Sequence, residues 1–140
     1  MKYIKPIFVI LLLATSIGCT TLTTQQKAEY DMMKQDDVLI HEKDPTTGAW
    51  LGLLPGFGAF YGREPLVGVV DLLLWPVSIL WDPVVGYETS KKVNYHITKG
   101  SLEKNKEKEL IELDNQRILG ELSDAEYVAK KRVTEQKYNY

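Results

Sequence analysis

The chain has 140 residues and a mass of 16.0 kDa, with 44% apolar and 26% charged residues, values of one small globular domain that exclude a multidomain enzyme. Seventeen Lys+Arg against nineteen Asp+Glu give a formal charge of -2, so no basic field exists to hold nucleic acid. A single cysteine excludes an internal disulfide framework. The apolar residues are crowded into two blocks, while the spacer between them and the last forty or so residues are polar, a distribution that points to a membrane-associated protein.

The first block opens with Lys2 and Lys5, runs through IFVILLLA over residues 7–14, and passes small residues before Cys19. Such an apolar run falls short of the ~20 residues needed for ~30 Å of hydrocarbon, so residues 1–18 read as a secretory signal peptide cleaved after Gly18. Cysteine suits lipid attachment, because its thiolate is a strong nucleophile and several acyl chains hold where one binds only marginally. The string SIGC resembles the bacterial lipobox, with Ser16 where Leu is usual. That resemblance implies acylation of the Cys19 thiol and of its new amino terminus. Thr20, standing where Asp would favour the inner membrane, implies a lipid-anchored protein facing the periplasm from the outer membrane.

Residues 19–48 have few branched apolar side chains and read as a lipidated N-terminus and flexible tether. A short helix over 25–40 would place Tyr30, Met33, Asp37 and Ile40 near one face. Asp44-Pro45-Thr46-Thr47-Gly48 carries turn chemistry and predicts a boundary.

Residues 49–98 read as a hydrophobic membrane-associated hairpin and a following helix. AWLGLLPGFGAFYG (49–62) and LVGVVDLLLWPVSILW (66–81) flank a polar turn, Arg63-Glu64-Pro65. As a helix the second segment would reach only ~24 Å, so burial against lipid over residues 49–87 is expected without comfortable crossing. Asp71 is expected to pair with Arg63 across the turn. Asp82 before Pro83 predicts an N-cap for a helix over 83–98. The stretch GFGAFYGREPLVGVVDLLLWPVSILWDP is similar to the small two-transmembrane-segment family, which shares a Gly-aromatic-Tyr-Gly stretch, a short polar turn and an aromatic-Asp near the second segment's end. That resemblance implies a pair of membrane segments.

Residues 99–140 read as a two-helix hairpin. Lys99-Gly100 is expected to end the preceding helix, Leu110, Leu113, Ile118 and Tyr127 to form a buried stripe, and Gly120 to stop the first helix. Ser123 and Glu126 spell a capping box, with Leu122 and Tyr127 at staple positions. Leu110, Leu113, Gly120, Leu122, Ser123, Glu126, Tyr127, Lys130 and Lys131 together resemble the SHOCT (short C-terminal) domain, with Glu121 at a place where an apolar residue is common. The resemblance implies self-association or a protein partner through residues 110–133.

His41 and His96 lack companions at ligand spacing, and no nucleophile elbow or phosphate-cradling loop is present, so neither metal, cofactor nor enzymatic activity is expected. The fold class is mostly α. The function expected is that of a non-catalytic bacterial envelope lipoprotein acting in assembly or interaction, bound to the bilayer through Cys19 acyl chains and residues 49–87. The alternative is a small oligomeric transport or channel-forming protein in which Asp71 faces the path.

Overall fold

A computed structural model describes residues 20–140, which contain six α-helices and no strand. Helix α1 (Thr24–Gln35) starts at Thr23, whose side chain accepts from the Gln26 amide while the Gln26 side chain accepts from the Thr23 amide. Helix α2 (Pro45–Leu51) starts at Asp44, whose carboxylate accepts from the amides of Thr46 and Thr47, with Pro45 at the first helical position. The predicted turn is therefore a helix start: Pro needs no amide partner there, and Asp supplies one to the residues behind it. Two short helices, α3 (Phe57–Tyr61) and α4 (Pro65–Leu73), and a 3-10 turn (Val77–Leu80) lead into α5 (Asp82–Ile118) and α6 (Asp124–Lys137).

The 37 residues of α5 make a rod of roughly 55 Å on which α2, α3, α6 and the 3-10 turn pack, while α4 packs on α3. It runs through Lys99-Gly100 and across the expected 98/99 boundary without a break. A lone glycine costs about 1 kcal/mol in a helix, too little to end one whose following turns are rich in Leu, Glu and Lys. Its inner face before Gly100 repeats every fourth residue: Asp82, Gly86, Ser90, Asn94 and Thr98, all buried. These small or polar side chains let α2 and α3 approach the rod closely. A Cβ on Gly48 would collide with the Gly86 carbonyl and Ser90 Oγ, and one on Gly62 would collide with Thr89 Oγ1.

Residues 20–48 do not form a flexible tether. Leu22, Tyr30, Met33 and Leu39 pack with Tyr95 into the apolar core, joined at its edge by Val38, Leu102 and Tyr140. Asn94 grips the strap between α1 and α2 by accepting from the Lys43 amide at 2.8 Å and donating to the Lys43 carbonyl at 2.7 Å. Thr98 Oγ1 accepts from the Ile40 amide at 2.9 Å. Glu29 accepts from Lys99 Nζ at 2.8 Å and from Tyr95 Oη at 2.7 Å, and the two bonds, Lys99 first, hold its carboxyl below the usual range. Composition mistook this segment because the apolar partner for its four buried side chains lies on α5.

Gly120, at φ 75, closes α5: its amide bonds the Arg117 carbonyl and the Glu121 amide bonds the Gln116 carbonyl, the Schellman arrangement. Helix α6 then folds back antiparallel, with Arg117 to Asp124 at 2.8 Å near the turn and Lys137 to Glu109 at 2.5 Å at the far end. Leu110, Leu113 and Tyr127 are half-buried, but Ile118 is 81% exposed, so the expected buried stripe is incomplete and Thr134 is the buried residue of α6.

Candidate functional site

The region between Ala49 and Tyr87 is turned inside out. Its interior holds glycines, Ala59, Ser78, Val85 and two carboxylates, while most of its large apolar side chains lie on the surface. Glycines permit this because they let backbone meet backbone: Gly56, at φ 78, lies against the Gly68 carbonyl, where a Cβ has no room.

Asp82 sits at the centre of that interior. It is the first residue of α5, not its N-cap, which is Trp81. Its carboxylate does not turn back onto its own helix. Instead it crosses to the start of α3 and accepts from the Gly56 amide at 2.5 Å, a group that has no partner inside α3. The expected helix cap is therefore supplied to a different helix. Burial pushes the Asp82 carboxyl up to about 6, against the pull of the Gly56 bond and with the Asp71 charge adding to the rise.

Asp71, on α4, is also buried, and it accepts from the Trp81 indole N–H at 2.8 Å. Burial raises its carboxyl, and the indole bond partly opposes that rise. The expected Arg63–Asp71 pair is not formed. Arg63 pairs with Glu42 and Glu64 with Lys92, both where water reaches, so the charges of the turn are matched outside the unit and Asp71 is left to a neutral donor. Asp71 Oδ2, Ser78 Oγ and Asp82 Oδ1 have no hydrogen-bond partner among the described residues.

Outside the unit, Ser123 and Glu126 form the capping box: the Glu126 amide donates to Ser123 Oγ at 3.3 Å and the Ser123 amide to Glu126 Oε2 at 2.9 Å. Arg117 stacks over Tyr127 with 4.9 Å to the ring centroid. Cys19 and Gly18 lie outside the described residues. Among the described residues no group of three or more His, Cys, Asp or Glu is placed to hold a metal, and both His41 and His96 are exposed. A cleft of about 210 Å³ beside Gly62 and Val93 is lined by Arg63, Glu64, Lys92 and His96, but its Arg and Lys are each matched by a carboxylate.

Two groups of residues escaped the sequence reading although their signals were present. Thr23 and Gln26 have capping-box spacing. The stripe from Asp82 to Thr98 repeats at four residues, but its polar members do not register in a search for apolar periodicity.

No protein-family model matches the chain, and no curated protein or solved structure matches it. Among the described residues, no helix is long and apolar enough to cross a membrane. These findings overturn the three resemblances. The two apolar segments break into short helices instead of forming a pair of spans, because Pro55 interrupts the first and Pro76 the second. The lipobox and SHOCT resemblances have no family match behind them.

Proposed function

We propose that the chain is a non-catalytic component of a bacterial cell envelope, tethered by acyl chains on Cys19 and working by association. The observation that supports this reading is the use the protein makes of its chemically capable groups. Asp44, Asp71, Asp82 and Glu126 each accept hydrogen bonds from backbone or indole N–H groups that would otherwise lack partners, while large apolar side chains occupy the surface. The tether rests on the residues themselves: two lysines, an uncharged apolar run and small side chains ahead of a lone cysteine. Exposed Ile111, Ile118, Val128 and Val133 make residues 110–133 the candidate surface for a partner or second copy.

Metabolic labelling with a fatty acid tests the tether. The wild-type chain should take up label and Cys19→Ser should not. Label on the Cys19→Ser variant, or none on the wild type, overturns the reading.

A further inference from the structure

We infer that residues 50–84 form a docking surface for a lipid leaflet, a unit that dips into one side of a bilayer and does not cross it. Water does not select this distribution of side chains. Trp50, Leu66, Leu73, Trp75, Leu80 and Val84 are all more than half exposed, with Leu66 at 82% and Leu80 at 79%. An exposed apolar patch of this extent on a soluble protein marks an interaction site.

The shape of the patch selects the occupant. On α4 the buried positions are Gly68 and Asp71, one narrow stripe, and apolar side chains project around most of the rest of the helix. A second protein covers one face of a helix. Only a solvent surrounds nearly all of it, and the solvent that favours Leu and Val on every side is hydrocarbon. Charge supports the same occupant: between Pro65 and Gly86 the ionisable side chains are Asp71 and Asp82, both buried and both bonded to N–H donors, so entry into lipid strips water from no exposed charge.

Depth follows from length. Helix α4 has nine residues, or roughly 14 Å, about half of a hydrocarbon core of ~30 Å. The paired charges Arg63–Glu42 and Lys92–Glu64 set the waterline, and the exposed rings of Trp50 and Trp75 suit the interfacial zone. The remainder of α5, with the polar α6 hairpin, stays in water. This inference needs no acyl chain, so it stands apart from the tether on Cys19.

The test uses residues 19–140 carrying Cys19→Ser, without the apolar leader, floated with phosphatidylcholine vesicles containing brominated acyl chains. The protein should float, and its tryptophan emission should be quenched more by bromines near the headgroup than by bromines at the bilayer centre. Adding Leu66→Glu, Leu73→Glu and Leu80→Glu, all at exposed positions, should lower the floated fraction at least tenfold while circular dichroism stays unchanged. Equal flotation of the two proteins would overturn the inference. So would a stable oligomer that ignores the vesicles, since a second copy would then cover the surface. If the triple variant misfolds, the quenching profile of the Cys19→Ser chain decides alone, and strongest quenching from the bilayer centre or none at any depth counts against the inference.

Discussion

The indole N–H of Trp81 donates to Asp71 Oδ1 at 2.8 Å inside a unit whose surface is apolar. A neutral donor in that position makes Asp71 a packing and hydrogen-bonding residue. Asp71→Asn keeps the acceptor and removes a buried charge, so its denaturant midpoint at pH 7 should equal or exceed that of the wild type. Asp71→Leu leaves the indole unpaired and should be less stable than the Asn variant by about 1–3 kcal/mol. A collapse of stability in Asp71→Asn would mean that the charge itself is required.

Asp82 makes stability depend on pH in the direction opposite to most carboxylates. Its carboxyl lies at about 6 in the folded chain against 3.8 unfolded, so the folded state holds the proton more tightly. Stability is therefore greatest below about pH 4 and is lost as pH rises through 6, by about 3 kcal/mol for a shift of this size. Glu29, Asp44, Glu109 and Glu126 are all lowered, and their contribution is lost only as pH falls below their ordinary values. Urea unfolding of wild type and Asp82→Asn between pH 4.5 and 7 separates the two effects: the wild type should weaken across the range and the variant should weaken less, with the remaining slope coming from Asp71, whose carboxyl burial also raises.

Two glycines on the same helix should respond in opposite ways to alanine. At Gly86 a Cβ would collide with the Gly48 carbonyl, a fixed backbone atom, so Gly86→Ala should push α2 off α5 and destabilise by several kcal/mol. At Gly100 a Cβ meets nothing within 4 Å, and Gly100→Ala should raise stability by about 0.5–1 kcal/mol. Thermal unfolding of the two variants measures both signs.

Ser123→Ala removes the acceptor for the Glu126 amide at the start of α6. A loss of about 1 kcal/mol is expected. Hydrogen exchange should quicken in α6 before it quickens in the first half of α5, because the hairpin buries little beyond Thr134.

Local signals, those carried within a few residues of chain, were legible. Ser123 with Glu126, Gly120 as a helix stop, Pro83 in the first turn of a helix, and the mostly α class all follow from capping and backbone chemistry that acts over three or four residues. The same rules contained α1, in Thr23 and Gln26, and α2, in Asp44 and Pro45.

Partner choice was decided only by the tertiary structure. Arg63 reaches Glu42 and not Asp71, Asp82 caps α3 and not α5, and the segment after Thr20 packs on Tyr95 where its composition had suggested a tether. Each outcome depends on which groups the fold brings within hydrogen-bond or contact distance, across separations of 21, 26 and more residues. The sequence by itself determined that residues 49–87 are apolar and glycine-rich. The tertiary structure decided that the glycines face inward and most of the leucines outward, because small side chains let the helices close on two buried carboxylates and leave most of the large ones at the surface.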